Sequence, residues 1–142
     1  MLAETIARLV DQLGELRGVQ GAADLAAVQK TPPAQVPWVF VVPLEDAAEG
    51  DGRMRGSTQT LRERVGIVLV QRSAKGDRGE GLASDGRTLR DAVRGALLGW
   101  SPDTGCDAYR YIGGRTLSFA GTAWWYLLTF ETARRLDKAA VN

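Results

Sequence analysis

Two stretches of this chain decide its fold: LRDAVRGALLGWSP at residues 89–102 and AWWYLLTFET at residues 123–132. The first has apolar residues at helical spacing, and a glycine and a proline near its end are the signals that stop a helix. The second has the aromatic composition of a strand, in which the adjacent Trp124 and Trp125 must point to opposite faces. We therefore expect an amphipathic helix beside an aromatic strand.

The predicted helix of the second half starts after the loop at residues 73–81, with Ser84 or Asp85 as its N-cap. Its predicted apolar face consists of Leu82, Leu89, Val93, Ala96 and Leu97. A second amphipathic helix opens the chain and is predicted to end near Gly18. Its apolar side consists of Leu2, Ile6, Leu9, Val10, Leu13 and Leu16. Residues 19–30 predict a short strand followed by a turn of helix.

Several strands are predicted around these helices. Residues 38–42 read as a buried strand closed by Pro43, and residues 45–57 as a charged, glycine-rich loop. Residues 58–72 form the longest predicted strand, which is apolar on both faces toward its end. On its first face lie Leu61, Val65, Ile67 and Leu69, and on the other lie Arg62, Arg64 and Arg72 with Val68 and Val70.

The C-terminal third predicts three further strands. Residues 109–119 read as a hairpin with its turn at Gly113 and Gly114, and residues 120–122 form a second turn. The last strand is predicted to run from residue 123 to about residue 133. The order α, short element, β, β, α, β, β, β predicts an α+β fold, a mostly antiparallel mixed β-sheet with helices packed on one face. Residues 1–133 would form a single domain and residues 134–142 a polar C-terminal tail.

The composition of the chain excludes several classes of function. The chain has 142 residues, of which 44% are hydrophobic, and its net charge of +1 predicts no strong attraction to nucleic acid or to a membrane surface. Histidine is absent and Cys106 is the single cysteine, which removes the commonest general base, the commonest metal ligand and any intrachain disulfide. Neither a signal peptide nor a membrane-length apolar run is found, so we expect a soluble cytoplasmic product.

The candidate chemical sites are weak. The loop at residues 50–56, GDGRMRG, could cradle a phosphate but lacks the order of a P-loop. Cys106 has no base to activate it, and Asp103 and Asp107 disfavour its thiolate. The acidic residues Glu45, Asp46, Glu49 and Asp51 could bind a cation weakly, although a solvated turn is favoured. We therefore predict no catalytic, metal or cofactor-binding residues and no enzyme.

Trp124 and Trp125 permit two readings. Aromatic strands can stack on nucleic-acid bases, but the interleaved basic residues that such binding needs are missing here. We therefore expect one tryptophan to face the helix layer and the other to lie on the outer sheet face or beneath a neighbouring subunit. Both are candidate interface aromatics.

An ordered set of segments resembles the phage tail terminator-like (minor tail) protein family. The set comprises VPWVFVVPL at residues 36–44, RERVGIVLV at residues 62–70, the helix at residues 89–102, the segment at residues 110–115 and Trp124-Trp125. The resemblance covers about residues 1–133. It implies a structural protein of the phage tail that forms a ring, typically hexameric, which caps the tail tube, ends its polymerisation and prepares the tail to join the head.

The resemblance also implies partners and a location. They are further copies of the chain, the tail tube protein and head–tail connector proteins, with DNA only as passing cargo, in a tail assembled in the bacterial cytoplasm. Four basic loop residues are candidate contacts to the tube or to DNA: Arg53, Arg55, Lys75 and Arg78. Two alternatives stay open. One is another neck, baseplate or head-completion component of a phage-like particle, and the other is a ligand-binding or enzymatic domain with a deep pocket.

Overall fold

In a computed structural model of the chain, the structure describes residues 1–30, 33, 35–49, 58–72, 80–120 and 123–137. Across these residues the chain forms three helices and five strands. In chain order they are α1 (Leu2–Gln12), β1 (Gly18–Gly21), α2 (Leu25–Gln29), β2 (Trp38–Glu49), β3 (Thr58–Arg72), α3 (Glu80–Leu97), β4 (Arg110–Ala120) and β5 (Ala123–Asp137). Among the described helices, none is long and apolar enough to span a membrane.

The five strands form one sheet in the order β1-β2-β3-β5-β4. β1 runs parallel to β2, and every other neighbouring pair is antiparallel. The prediction of an α+β fold with a mixed, mostly antiparallel sheet is confirmed. β3 and β5 pair along their whole length, from Thr58 opposite Asp137 to Arg72 opposite Ala123, because both strands have 15 residues.

The main core lies between the sheet and the helices α1 and α3. Odd-numbered residues of β3 and even-numbered residues of β5 point into it, as the period of two requires. The predicted apolar face of α3 is confirmed where its side chains are described, since Leu89, Val93, Ala96 and Leu97 are all buried. The sheet side of this core includes Val39, Val41, Val65, Ile67, Leu69, Leu128 and Phe130.

The opposite face of the sheet, called the outer face below, carries a second, smaller apolar cluster. The five-residue helix α2 covers part of it through Val28, which is 1% exposed. The sheet residues of this cluster are Phe40, Val42, Val68, Val70 and Leu127. The two long helices thus share one face as predicted, and of the helices that the structure describes only the short α2 lies on the other.

The first helix ends earlier than its apolar pattern suggests. α1 stops at Gln12 rather than near Gly18, because the chain must turn to bring β1 alongside β2. The Arg17 backbone N–H donates to the carbonyl of Pro37 at 2.8 Å and fixes that turn. Leu13 remains buried although it is no longer helical.

β2 is longer than predicted. It continues through Pro43 to Glu49, whereas the sequence indicated a loop from residue 45 onward. A bulge between Pro43 and Glu45 shifts the register, which accommodates the proline and lets pairing with β3 resume at Glu45 and Arg64. Only residues 50–57 of the predicted loop lie outside the described residues.

α3 begins at Glu80, so Ser84 and Asp85 lie inside the helix and neither is the predicted N-cap. The predicted end is confirmed, since α3 stops at Leu97 and Gly99 has a φ of +79°, in the left-handed region that glycine tolerates.

The predicted hairpin at Gly113 and Gly114 is wrong. β4 runs uninterrupted from Arg110 to Ala120, so two strands follow α3 instead of three. β5 is long enough to pair with all of β4, and two bulges, between Tyr111 and Gly113 and between Thr116 and Ser118, absorb the mismatch. The glycine signal has another cause at Gly114: a Cβ there would approach the hydroxyl oxygen of Tyr111 to 2.5 Å.

β5 extends to Asp137, beyond the predicted end near residue 133 and into the segment predicted to be a polar tail. Its final residues pair with the start of β3, and Thr58 donates a hydrogen bond to the Asp137 carboxylate at 2.8 Å. The division into a domain of residues 1–133 and a tail of residues 134–142 stays a prediction.

Candidate assembly surface

Trp124 and Trp125 lie on opposite faces of β5, as the strand geometry predicts. Trp125 lies on the outer face, where its ring stacks on that of Phe40 with a centroid separation of 6.2 Å and an interplanar angle of 5°. Neither tryptophan is fully buried. Trp125 therefore contributes partly exposed aromatic area to the outer face.

Trp124 lies on the helix face, near the end of the sheet where β4 meets β5. The Arg90 guanidinium of α3 lies over the Trp124 ring at 5.3 Å and over the Tyr126 ring at 4.6 Å. The indole N–H of Trp124 donates to the Thr116 hydroxyl at 3.0 Å. A cation held over two rings fixes α3 against the β4–β5 pair, so Trp124 serves packing within the subunit.

A cluster of ion pairs occupies the half of the outer face that α2 does not cover. The carboxylate of Glu131 is its centre, and its side chain is only 4% exposed. Arg64 Nε donates to Glu131 Oε2 at 2.9 Å, Arg110 Nη2 donates to Oε1 at 2.6 Å, and Arg62 Nη1 approaches Oε1 at 3.4 Å. Three strands thus contribute to one polar cluster.

The cluster holds its carboxylate ionised. Burial acts to raise the pKa of Glu131, but the hydrogen bonds from Arg64 and Arg110 outweigh burial, and the pKa lies below its usual value. The arginines also pair outward, since Arg62 Nε donates to Glu49 at 2.7 Å and Arg64 Nη1 to Glu45 at 3.5 Å. Three arginines and three glutamates therefore balance across β2, β3, β5 and β4.

The sequence indicated part of this cluster and missed its centre. The alternation Arg62-Glu63-Arg64 correctly predicted that the arginines share a face away from the core. Glu131 follows Phe130 and is the single charged residue between Ala123 and Ala133, and an isolated acid in so apolar a stretch is a signal for a buried ion pair. Its partners could not be assigned, because the register between β3, β5 and β4 is not readable from one sequence.

The four predicted basic contact residues lie outside the described part of the chain: Arg53, Arg55, Lys75 and Arg78. Their anchor points are described. The connection that carries the first two joins Glu49 to Thr58, and the connection that carries the other two joins Arg72 to Glu80. Because Thr58 and Arg72 are the two ends of β3, these connections start roughly 45 Å apart at about 3.3 Å per residue.

The candidate chemical groups are used in other ways. Partial burial, with Asp103 and Glu63 nearby, raises the pKa of the Cys106 thiol, the direction predicted from its aspartate neighbours. Glu45 and Glu49 pair with arginines, as given above. Within the described ranges, no group of three or more Cys, Asp or Glu side chains could hold a metal ion.

The sheet has two open edges that differ from each other. In the described residues β1 pairs only with β2, and β4 pairs only with β5. The β1 edge has four residues, two of them glycine, while the β4 edge has 11 residues interrupted by the two bulges. Short edges and bulged edges are the forms that natural proteins use to limit uncontrolled strand pairing.

These features define a class: a small single-sheet α+β protein whose described residues form an ion-pair cluster on one face of the sheet and two unlike sheet edges. The chain belongs to the phage tail terminator protein family, which it matches over residues 2–140. The resemblance that the sequence suggested is thereby confirmed, and the chain is a structural protein of the phage tail.

Solved structures include chains with the same fold. One of them belongs to a structure entitled "Virion of native gene transfer agent (GTA) particle", and it superimposes with a TM-score of 0.52 at 14% identity, covering 93% of each chain. At this identity the likeness concerns the fold alone. No curated protein matches the sequence.

Proposed function

We propose that this protein forms a ring, of six copies, that caps the tail tube, ends its polymerisation and presents the tail-side surface to which the head is joined. The observation that carries the proposal is membership of the phage tail terminator family over residues 2–140. The proposed partners are further copies of the chain, the tail tube protein and head–tail connector proteins, with DNA passing through as cargo. Assembly would take place in the host cytoplasm, and the ring would remain in the virion tail.

Ring formation needs two different, complementary surfaces on each subunit, because head-to-tail contacts are what close a ring. The chain offers unlike surfaces at the two ends of its sheet, the short β1 edge and the bulged β4 edge. A face-to-face dimer would instead require one self-complementary patch. The sheet ends therefore favour cyclic assembly over an isolated pair.

A terminator must also bind two partners at once, and the positions at which two chain connections meet β3 support this. These connections leave β3 at Thr58 and Arg72, roughly 45 Å apart on the estimate of 3.3 Å per strand residue. We assign Arg53 with Arg55 to one end of the ring and Lys75 with Arg78 to the other. One pair then contacts the tail tube and the other faces the head side.

The first experiment is light scattering of the purified chain, followed by electron microscopy of the largest species, with and without purified tail tubes. We expect rings of about six subunits with a central hole, bound at the tube end. A ring that forms but does not bind or shorten growing tubes would instead favour another neck, baseplate or head-completion component. A monomer that stays monomeric in the presence of tubes contradicts the proposal.

The loop assignment has its own test. The double charge reversals R53E/R55E and K75E/R78E should each leave the fold intact, because the described core is formed by residues of other segments. We expect one variant to lose tube binding while the other keeps it. If both bind tubes like the original chain, these residues are not tube contacts.

A further inference from the structure

We infer that neighbouring copies in the ring join their sheets edge to edge, with β4 of one copy antiparallel to β1 of the next and Arg115 opposite Gln20. This inference rests on the proposed ring. It specifies which strands meet and in which register.

The strand directions fix the antiparallel orientation. β1 runs with β2, β2 opposes β3, β3 opposes β5 and β5 opposes β4, so β1 and β4 point in opposite directions within one subunit. In a ring of about six copies, neighbouring subunits are related by a rotation of about 60° about the ring axis, under which a strand keeps the sense of its direction. The two strands that meet at the boundary therefore keep opposite directions and can form an antiparallel ladder.

The bulges restrict where β4 can accept a partner. The longest stretch that pairs with β5 without a shift is residues 113–116, between the two bulges. β1 has four residues, Gly18–Gly21, and three of them can lie opposite this stretch in a register that keeps the faces of the two strands matched.

The faces of the strands then select the register. Val19 packs against the main core, so it lies on the helix face, while Gln20 pairs with Phe40 and shares the outer face. On β4, Gly114 and Thr116 pair with the helix-face residues Leu128 and Tyr126, and Arg115 pairs with the outer-face residue Leu127. Paired residues in an antiparallel ladder share a face, so Val19 can oppose only Gly114 or Thr116.

The second of these registers is the better fit. It places Val19 opposite Thr116, two β-branched residues of the kind that form favourable cross-strand pairs, and Gln20 opposite Arg115, where an amide oxygen can accept from a guanidinium. The first register would place Val19 opposite Gly114. The space above Gly114 is already filled by the side chains of Tyr111 and Tyr126. A Cβ added to Gly114 would lie 2.8 Å from the hydroxyl oxygen of Tyr126.

Both residues of this pair can be reached by a neighbouring copy. Arg115 and Gln20 are each exposed at their edges.

The test is a disulfide across the proposed boundary. In a chain carrying Cys106→Ser, the substitutions Gln20→Cys and Arg115→Cys place two thiols on residues whose Cα atoms would be about 4.5–5.5 Å apart in a ladder, within the range of a disulfide. Both positions are exposed, so folding should be retained. The protein is assembled with tail tubes, treated with oxidised glutathione and run on a non-reducing gel.

We expect the Q20C/R115C chain to give a covalent ladder that ends at the number of subunits in the ring. Each single substitution should give dimers at most, because one thiol per chain cannot link more than two copies. The matched control is Q59C/R115C, since Gln59 is equally exposed but lies on the central strand β3.

The failures of the two proposals are distinguishable. Rings seen by electron microscopy that give no ladder, or a ladder no longer than that of the Q59C/R115C control, overturn the edge pairing and leave the ring proposal standing. Absence of rings in the presence of tubes overturns both.

Discussion

The two faces of the sheet share the same strands but are stabilised in different ways. On the helix face, α1 and α3 bury a continuous apolar core that reaches from Leu9 to Phe130. On the outer face, only the short α2 covers an apolar cluster, and the other half is closed by the ion pairs around Glu131. The helix face is complete within one subunit, whereas the outer face keeps half-exposed arginines and a partly exposed Trp125.

This difference indicates a division of labour. A fully buried apolar core supplies most of the free energy of folding, because the hydrophobic effect scales with the apolar area removed from water. Ion pairs that are half exposed add little stability but fix side chains in defined positions. We therefore expect substitutions on the helix face to affect the free energy of unfolding most strongly. Substitutions in the charged half of the outer face should have smaller effects, which depend on pH in the acid range.

The largest effect is expected for Phe130→Ala on the helix face. Phe130 is fully buried, and its ring lies 5.2 Å from that of Tyr111 and 6.0 Å from that of Tyr109. Its loss removes buried apolar area and leaves a cavity, at a cost of about 3–5 kcal/mol in the free energy of unfolding. Chemical denaturation followed by tryptophan fluorescence measures it.

The matched control is Leu98→Ala, which removes an apolar side chain that is 57% exposed. We expect its free energy of unfolding to stay within about 0.5 kcal/mol of the original, as for most surface substitutions. Equal effects at Phe130 and Leu98 would contradict the placement of the core between the sheet and the two long helices.

The next effect concerns close packing on the apolar half of the outer face. A Cβ added at Gly66 would lie 2.9 Å from Leu127 Cδ1 and 3.0 Å from Val42 Cγ2. Gly66→Ala should therefore destabilise the protein by about 1–3 kcal/mol, because the neighbours on β2 and β5 must shift. Thermal unfolding followed by circular dichroism measures it.

Gly95→Ala is the opposing control for this prediction. Gly95 lies inside α3 with nothing within 4 Å of an added Cβ. The substitution should stabilise the protein by about 0.4–1 kcal/mol, since alanine costs less backbone entropy in a helix than glycine. A stabilising Gly66→Ala would show that the outer face is more loosely packed than the distances indicate.

The sequence predicted the parts of the fold that local periodicity determines. The bounds of β3, both of its faces and the apolar side of α3 follow from spacing alone, because burial on a known face imposes a period of two or 3.6. The predictions of where α1 ends, how long β2 is and how β4 runs were wrong. Each of these depends on a neighbour: β1 must reach β2, the bulge after Pro43 is stabilised by pairing with β3, and β4 is held straight by β5.

The assembly surface was predictable only in outline. Opposite faces for Trp124 and Trp125 follow from strand geometry, and the outward position of Arg62 and Arg64 follows from the same alternation. The central role of Glu131 could not be predicted, because it requires the register of three strands that are distant in sequence. A single sequence carries no signal that pairs residue 64 with residue 131.

A smaller effect is expected for Glu131→Gln in the charged half of the outer face. The amide keeps the shape but loses the charge that the arginines neutralise. We expect a destabilisation of about 1–2 kcal/mol, because the hydrogen bonds are charge-assisted but the arginine partners remain solvated. Glu45→Gln is the control, since the Glu45 side chain is 66% exposed and its contact to Arg64 is long at 3.5 Å. It should change little.

We also expect Glu131→Gln to change how the free energy of unfolding depends on acid pH. The pKa of Glu131 is lower in the folded protein than its usual value, so its contribution is present above the pKa of the unfolded chain. That contribution is lost as the pH falls through the folded pKa. Between about pH 5 and pH 2, the free energy of unfolding should therefore fall less steeply in the Gln variant than in the original chain. An unchanged decline would mean that Glu131 is not the carboxylate that the arginines hold ionised.

The smallest effect, and the one that separates the two faces most sharply, is expected for Tyr109→Phe on the helix face. The Tyr109 hydroxyl is within hydrogen-bond distance of the Thr5 hydroxyl at 2.9 Å, and Thr5 also donates to the carbonyl of Met1. Since Thr5 keeps that partner, the loss at neutral pH should be only about 0.5–1.5 kcal/mol.

Burial raises the pKa of Tyr109 to about 12, against an ordinary value of 10.0. Its contribution is thus complete below pH 10 and lost as the pH rises toward 12, because the unfolded chain ionises first. Over that alkaline range the free energy of unfolding of the Phe variant should fall less than that of the original chain. Its acid response, which belongs to Glu131, should be unchanged. If Tyr109→Phe altered the acid limb, the two faces would not be energetically separate.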